Sequence, residues 1–265
     1  MKEQIWQSIL KVRNLSPLVH NITNYVVMNN TANALLAAGA SPVMAHAPEE
    51  VEEMVAIAGS LVVNIGTLSK SWVAAMEKAM KKARELDKPI IFDPVGMGAT
   101  TYRNEVTEHL LKTVHPTVIR GNASEISAIY NKDQKTKGVD STLAPNQAVD
   151  AANYLHQNFK SVVCVSGPAD LIISHDKKVK LKNGVSLMGK ITGMGCTATA
   201  LIGAFTAVEK DTFLATVSAM ALLGVAGELA MAYSKGPGSL QVNILDKLSE
   251  LKEDEFMQTI LIEED

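Results

Sequence analysis

Five short runs rich in β-branched residues alternate with helical stretches, and this alternation constrains the fold more than any other feature of the sequence. The runs occupy residues 18–22, 61–65, 89–93, 117–120 and 161–165. Strands separated by helices pair in parallel, because a parallel connection needs a crossover long enough to hold a helix. The sequence therefore predicts an α/β fold with a mostly parallel central sheet flanked by helices.

Other segments add local expectations. Residues 171–175 and 179–181 flank the turn at 176–178, which predicts a small antiparallel hairpin at the sheet edge. Apolar residues at helical spacing predict a helix over 69–86 with Ser69 as its N-cap, and Pro48 with two following glutamates indicates another helix start. The polar stretch 131–141 is typical of an exposed loop.

Composition limits the partners of this chain. The net charge is -3 and no basic stripe is present, so we expect no nucleic-acid partner. No linker divides the sequence and no repeat occurs, so we expect a single domain over residues 1–265. Two cysteines, Cys164 and Cys196, are too few for a disulfide framework and favour a reducing, cytoplasmic location.

Two segments bear on membrane association. Residues 213–232 are almost wholly apolar, but Glu228 and many small residues favour a helix enclosed by protein over a membrane span. Residues 1–13 mix charged and apolar residues at helical spacing, which predicts a short surface helix and not a secretory signal. We therefore expect no membrane partner.

Polar and glycine residues follow each predicted parallel strand. These strand ends lie at 20–24, 64–67, 93–98, 120–122 and 166–167. Ligands of parallel α/β sheets bind beyond the carboxyl ends of the strands. Five polar ends at one edge of a sheet therefore predict a binding site there.

The sharpest local motif is a glycine-rich turn that leads into a helix of small residues. Its backbone amides, at Gly193, Met194, Gly195 and Cys196, are predicted to form an anion hole for a phosphoryl group, since a helix N-terminus has unpaired N–H groups and a positive dipole end. The same field predicts a lowered pKa for Cys196 and a role as general base toward an alcohol. The alternative is a small residue packed at a helix start.

Two acidic residues and one basic residue follow neighbouring strands. Asp93 precedes a glycine-containing loop and could hold Mg²⁺, although a turn or cap role explains it equally well in isolation. Arg120 is suited to phosphate oxygens. Glu125 lies three residues beyond Asn122, a predicted N-cap, so it is a candidate cap, a magnesium neighbour, or both.

Four motifs in order along nearly the whole chain resemble the hydroxyethylthiazole kinase family of ribokinase-like enzymes. They are Asn-Ile-Thr-Asn at 21–24, Asp-Pro-Val-Gly-Met-Gly at 93–98, Gly-Asn-Ala-Ser-Glu at 121–125 and Gly-Met-Gly-Cys-Thr at 193–197. The resemblance implies a ribokinase-like fold. It also implies transfer of the ATP γ-phosphoryl group to 4-methyl-5-(2-hydroxyethyl)thiazole, with Mg²⁺, in the salvage branch of thiamine biosynthesis.

The same resemblance implies roles for individual residues. Substrate contacts fall on Met44, Gly193 and Asn24, ATP contacts on Arg120 and Ser166, the magnesium region on Asp93 and Glu125, and the base on Cys196, where most ribokinase-like enzymes have aspartate. It further implies a homotrimer with active sites between subunits, to which Asn24 and Met44 of a neighbouring chain would contribute. Taken alone, Met44 also fits a gap-filling residue of a buried strand.

Several alternatives stay open at this point. A ribokinase-like kinase of another alcohol, such as hydroxymethylpyrimidine, would carry similar motifs. A cysteine hydrolase would use Cys196 as nucleophile, and a non-catalytic nucleotide-binding module would use the same glycines. A dinucleotide oxidoreductase is disfavoured, because no Gly-x-Gly-x-x-Gly follows the first strand. His20 and His46 have no metal-ligand spacing and are interpreted as hydrogen-bonding wall residues.

Overall fold

A computed structural model describes residues 1–136 and 147–264, with side chains for residues 1–132 and 147–264. Within this range one sheet holds all the strands. They are β1 (Leu18–Ile22), β2 (Ser41–Val43), β3 (Ser60–Asn64), β4 (Ile90–Asp93), β5 (Val118–Asn122), β6 (Val162–Ser166), β7 (Asp170–Ile173), β8 (Lys178–Leu181) and β9 (Ile262–Glu264). The order across the sheet is β2-β1-β3-β4-β5-β6-β7-β8-β9.

Strands β1 to β6 are parallel to one another, and β7, β8 and β9 are antiparallel additions at one edge. The predicted α/β class, parallel sheet and edge hairpin are therefore confirmed. The antiparallel edge is wider than predicted, because β9 from the C-terminus pairs with β8. The sequence analysis missed β9, since three residues are too few to display an alternating pattern.

Helices cover both faces of the sheet. They are α1 (Lys2–Leu15), α2 (Met28–Ala37), α3 (Val51–Ile57), α4 (Lys70–Glu85), α5 (Thr101–Thr113), α6 (Ala123–Thr136), α7 (Gln147–Phe159), α8 (Met194–Thr206), α9 (Thr212–Met231), α10 (Pro237–Glu250) and α11 (Glu253–Thr259). A 3-10 turn spans Ser186–Lys190. Helices α3 to α7 pack on one face, and α1, α2 and α8 to α11 pack on the other.

Two hydrophobic cores result, one on each face of the sheet. Strand β3 shows how they divide, since Leu61 and Val63 enter the core under α4 while Val62 enters the core under α8. This is the two-residue alternation of a strand, and both sets of side chains are apolar because neither face meets water. The carboxyl ends of the strands are thereby held rigidly at one edge.

Helix α9 is the one described helix that is long and apolar enough to cross a membrane by length and composition. Most of it is buried inside the fold, against α1, α8 and α10. Its acidic residue, Glu228, accepts a hydrogen bond from Nδ2 of Asn183. The composition that resembles a membrane span is therefore that of a core helix, as the sequence analysis predicted.

Helix boundaries agree with the sequence in one case and differ in another. Ser69 caps α4 by accepting a hydrogen bond from the Trp72 amide at 3.3 Å, which confirms that prediction. The predicted helix start at Pro48 is wrong. The carbonyl of Ala47 accepts the amides of Glu50 and Val51 in a turn, and α3 begins only at Val51.

The predicted loop at 131–141 is also wrong for the part that the structure describes. Residues 131–136 form the end of α6, and 137–141 lie outside the described residues. The polar composition misled the sequence analysis, because lysine and glutamine are good helix formers despite their low hydrophobicity.

Candidate active site

The strand order reverses between β1 and β3, and a row of polar side chains lies at the carboxyl ends of the strands from this point onward. Asn24 follows β1 and donates from Nδ2 to Oδ1 of Asn64 at 3.0 Å. Asn64 ends β3 and donates from Nδ2 to Oδ2 of Asp93 at 2.8 Å. Such a reversal opens a crevice in parallel α/β sheets, so these buried polar groups lie where a ligand binds.

Helix α8 begins beside this row with its N-terminal amides partly unpaired. Helical bonding starts with the Thr197 amide, which donates to the Gly193 carbonyl at 2.8 Å. The Met194 amide reaches the Ile191 carbonyl at 3.5 Å, whereas those of Gly195 and Cys196 have no backbone acceptor among the described residues. The predicted anion hole therefore keeps two fully available donors beside the positive end of the helix dipole.

Glycine is required at two positions of this turn. Gly193 has a φ of 82°, and a Cβ atom there would lie 2.4 Å from Cγ1 of Val27. A Cβ atom at Gly195 would lie 2.6 Å from Nη1 of Arg120. The guanidinium group of Arg120 therefore lies directly against the helix start, which only glycine permits.

Arg120 and Ser166 come together as the sequence analysis predicted for a phosphate site. Arg120 is buried and donates from Nη2 to Oγ of Ser166 at 2.7 Å, but its Nε has no partner. A buried donor without an acceptor is costly in free energy. The unpaired Nε and the open helix amides are hydrogen-bond donors that could bind one anion together.

A cavity of about 420 Å³ opens beside Arg120 and the start of α8. Its polar wall includes Arg120, Ser166 and Asp170, and burial raises the pKa of Asp170 to about 6 despite the nearby guanidinium. Its apolar wall includes Met188, Met220 and Leu223. This combination suits a nucleotide, which has charged phosphates at one end and a flat apolar base at the other.

Cys196 interacts both with the polar side chains at the strand ends and with the guanidinium of Arg120. Nδ2 of Asn24 contacts its Sγ at 3.4 Å within the same chain. Asn24 thus contacts Cys196 of its own chain, and a contribution of Asn24 to a neighbouring subunit stays a prediction. Burial raises the pKa of Cys196 to about 11, and the negative charge of Asp93 adds to this effect. The predicted lowering was therefore wrong, because the lost hydration of a thiolate outweighs Arg120 and the two asparagine hydrogen bonds.

Asp93 is a buried acid with a raised pKa. Its Oδ2 accepts hydrogen bonds from Asn64 and, at 2.7 Å, from Oγ1 of Thr199, while its buried Oδ1 has no partner. Burial raises the pKa of Asp93 to about 6, Arg120 opposes the rise and Glu125 adds to it. An unpaired, buried carboxylate oxygen is a position for a cation or its water ligands.

Glu125 has the cap role that the sequence indicated. Its Oε2 accepts the Asn122 amide at 2.8 Å and Oδ1 of Asn122 accepts the Glu125 amide at 2.9 Å, which together form a capping box on α6. The other oxygen, Oε1, accepts the amide of Gly96 at 2.8 Å. Each oxygen retains acceptor capacity, so the cap role leaves a magnesium role open.

The described residues include no cluster of three or more His, Cys, Asp or Glu side chains that would hold a metal alone. That agrees with Mg²⁺, which proteins usually hold through one or two carboxylates while substrate phosphates and waters fill the rest of the octahedron. The unpaired Oδ1 of Asp93 and the nearby carboxylate of Glu125 fit this requirement.

Residues at the other side of the crevice form its wall. Met44 follows β2 directly and is half-buried at the same edge as Asn24. His20 is buried with Nε2 2.8 Å from the Ala45 carbonyl, and burial lowers its pKa, so the ring is neutral. His46 packs on Trp72 with ring centroids 4.6 Å apart. His20 thus has the hydrogen bond that was predicted, whereas Nδ1 of His46 is buried without a partner.

Two residues that bind the side chains or loops of the site were not predicted from the sequence. Thr199 lies one helical turn beyond Gly195, so its contact with Asp93 required knowledge of how α8 crosses the sheet. Arg103 binds three backbone carbonyls beside the site, and nothing in its local sequence distinguishes it from a surface arginine.

Comparison with known proteins identifies the family. Residues 9–254 match the model of the hydroxyethylthiazole kinase family. A hydroxyethylthiazole kinase from Syntrophus aciditrophicus (strain SB) is 55% identical over 261 residues, which cover 98% of this chain and 97% of that one. The chain belongs to the hydroxyethylthiazole kinase family.

Solved structures agree with this assignment. The hydroxyethylthiazole kinase protein from Pyrococcus horikoshii is 42% identical, covers 100% of both chains and superposes with a TM-score of 0.92. The pyridoxal kinase from Staphylococcus aureus, solved with AMP-PCP and pyridoxal, has a TM-score of 0.68 at 14% identity over 94% of this chain and 98% of that one. The latter likeness concerns the fold alone, which is ribokinase-like as predicted. As a member of the hydroxyethylthiazole kinase family, the chain is an ATP-dependent phosphotransferase.

We expect Asp93→Asn to gain stability relative to the parent as the pH rises from 5 to 8. The folded parent ionises this carboxyl only near pH 6, whereas the unfolded chain does so near pH ~4. Stability from the protonated form is therefore present at low pH and lost as the pH rises through about 6, and asparagine avoids that loss. Denaturant unfolding should show the difference between the two proteins growing by roughly 1–2 kcal/mol. A constant or shrinking difference would contradict the raised pKa.

Proposed function

We propose that this kinase transfers the γ-phosphoryl group of ATP to the hydroxyl of 4-methyl-5-(2-hydroxyethyl)thiazole, in the salvage branch of thiamine biosynthesis in the cytoplasm. The observation that carries the chemistry is the pair of open amides at Gly195 and Cys196 beside the guanidinium of Arg120. These three donors converge where negative charge develops during phosphoryl transfer. Family membership supports the identity of the acceptor.

ATP is proposed to occupy the cavity beside α8. Its phosphates meet Arg120 and Ser166, and its base lies against the apolar wall that includes Met220 and Leu223. The unpaired Nε of Arg120 would then gain an acceptor. Because the guanidinium is fixed by Ser166 before the nucleotide arrives, little side-chain ordering is left to occur during binding.

Asp93 and Glu125 are proposed to hold Mg²⁺ through their free acceptor positions. When bound, the ion would offset negative charge on the phosphates during transfer. Thr199 and Asn64 fix one oxygen of Asp93 and leave the other directed away from them. One oxygen of Asp93 is thus held by the protein and the other is free for the ion, which explains a carboxylate at a buried position where its ionisation is costly.

The acceptor is proposed to bind between Met44, Asn24 and Gly193. Gly193 packs against Val27 with no room for a side chain, so its backbone forms this part of the crevice. Asn24 holds Sγ of Cys196 on the same side. An alcohol in this crevice would lie beside both the thiol and the anion hole, which is the arrangement that in-line transfer needs.

Cys196 is proposed to act as a weak general base. With a pKa of about 11, only roughly one molecule in 10⁴ carries the thiolate at pH 7. Phosphoryl transfer passes through a loose transition state in which the attacking oxygen loses its proton late, so little basicity is required. Positioning and charge stabilisation therefore supply most of the rate.

We also propose a homotrimer with active sites between subunits. Tyr25 and Val26 follow Asn24 directly, and they are 63% and 70% exposed in the single chain. Large apolar residues exposed beside a ligand crevice indicate a surface that another chain covers. Sedimentation velocity should give the mass of three chains, and a monomer at assay concentration would contradict the proposal.

The direct test of the function is turnover of the purified enzyme with ATP and each of two alcohols. We expect ADP release to match the formation of thiazole phosphate, with kcat/KM for the thiazole alcohol at least about 100-fold above that for hydroxymethylpyrimidine. Mass spectrometry identifies the product, and a reaction containing EDTA measures the need for Mg²⁺. Equal or better turnover of the pyrimidine would favour the rival kinase, and no alcohol-dependent ADP release would favour a binding module.

The role of Cys196 is tested by two substitutions. We expect Cys196→Ala to lower kcat by less than about 100-fold, below the usual contribution of a strong general base. Cys196→Asp should keep or increase kcat at pH 7, because a carboxylate there supplies a base that ionises more readily than a thiol of such high pKa. Complete loss of activity in Cys196→Asp with ATP binding intact would contradict the role of Cys196 as a base.

A further inference from the structure

Arg103 holds two loops of the candidate site through backbone carbonyls alone. Nη1 donates to the carbonyls of Ile65 and Val95, each at 2.6 Å, and Nη2 donates to the carbonyl of Gly66 at 2.8 Å. No carboxylate pairs with this guanidinium among the side chains that the structure describes. Its hydrogen-bonding capacity is thus directed at main chain and not at a surface ion pair.

The two loops carry residues of the site. Ile65 and Gly66 directly follow Asn64, and Val95 lies two residues beyond Asp93. One planar guanidinium therefore links the chain segments that leave β3 and β4. Hydrogen bonds from a charged donor are about twice as strong as neutral ones, so this link is stiff.

The loop that follows β4 contacts Arg103 on one side and Glu125 on the other. A Cβ atom at Gly96 would lie 3.1 Å from Cδ of Arg103, so the arginine stem lies against this glycine. The Gly96 amide donates to Oε1 of Glu125 at 2.8 Å. Two residues further on, the Gly98 amide donates to Oδ1 of Asn104 at 2.8 Å. The loop over 94–98 is thereby fixed by the first turn of α5 at one side and presents an amide to Glu125 at the other.

We propose that Arg103 is a positioning residue that sets the orientation of the Glu125 carboxylate for Mg²⁺. This proposal rests on the proposed function, in which Asp93 and Glu125 hold the ion. Arg103 acts through Gly96 and touches neither substrate. Lysine at this position keeps the charge, but one ammonium group does not reproduce the planar fork that reaches three carbonyls.

The expected effect of Arg103→Lys is a loss of metal affinity with little loss of maximal rate. Residues that orient a metal ligand typically contribute 10–100-fold to metal affinity. We therefore expect the Mg²⁺ concentration for half-maximal rate to rise about tenfold or more, while kcat at saturating Mg²⁺ changes by less than about threefold. A residue that merely stabilises the fold would not separate these two quantities.

Arg13 provides a matched control. It is also half-buried and donates to two backbone carbonyls, those of Leu251 and Leu248, at 2.9 and 3.2 Å. These carbonyls lie at the end of α10, away from the strand ends that form the site. Arg13→Lys thus removes the same kind of fork without touching the loops at 65–66 or 94–98.

Two measurements without turnover complete the test. Calorimetry with ADP gives the factor by which Mg²⁺ strengthens ADP binding, and hydrogen exchange gives the protection of the Gly96 amide in the ligand-free protein. We expect Arg103→Lys to reduce both by about tenfold or more and Arg13→Lys to leave both at the parent value. If Arg103→Lys does not fold, Arg103→Gln is measured in its place.

Indistinguishable results for the Arg103 and Arg13 variants would overturn the proposal. An equal loss of ADP affinity with and without Mg²⁺ would also overturn it, because the effect would then not concern the ion. Failure of the proposed function has a different signature, namely a parent protein that releases no ADP in the presence of the thiazole alcohol. In that case the exchange rate of the Gly96 amide still decides whether Arg103 anchors the loop.

Discussion

The close approach of Arg120 to the start of α8 is the constraint on which the site depends. A guanidinium group and the positive end of a helix dipole lie side by side, and a buried Nε faces no acceptor. Two positive features repel each other unless an anion lies between them. Gly195 makes this arrangement possible, since any side chain there would displace the guanidinium. The carboxylates of Asp93 and Asp170 stabilise the buried guanidinium and raise its pKa against the effect of burial, while its Nε and the helix amides stay available to a phosphoryl group.

A short distance away, Asp93 carries a buried negative charge that its surroundings balance only in part. Its carboxylate is buried, half satisfied by Asn64 and Thr199, and close enough to Glu125 for the two negative charges to interact. In the proposed function, Mg²⁺ would offset the negative charge of Asp93 and Glu125, and the phosphates of ATP would accept hydrogen bonds from Arg120 and the amides of α8. Affinity for the complex of metal and nucleotide would follow from this pairing.

The sequence predicted the scaffold well because the periodic features are local. The parallel strands, the cap at Ser69 and the buried character of α9 follow from patterns within single segments. The glycine turn at 193–195 and the capping box at Glu125 are equally local, and both were confirmed. Prediction failed where the outcome depends on distant parts of the chain. Strand β9 needs β8 as its partner, and Arg103 needs two loops that only the fold brings together.

The error at Cys196 illustrates the same limit for electrostatics. The helix start and its glycines are visible in sequence, and they favour a thiolate. Burial and the proximity of Asp93 are tertiary properties, and they outweigh that preference. Family resemblance singled out this residue but did not reveal its protonation state. The reaction is therefore better explained by preorganised charge around phosphorus than by a strong base at the attacking oxygen.

The most direct measurement is a crystal structure of the enzyme with Mg²⁺, ADP and aluminium fluoride, which mimics the phosphoryl group in transfer. We expect fluorine atoms of the aluminium group to lie within about 3.5 Å of the amide nitrogens of Gly195 and Cys196 and of the Arg120 guanidinium. A transferring group bound elsewhere in the crevice, with those amides facing water, would contradict this expectation.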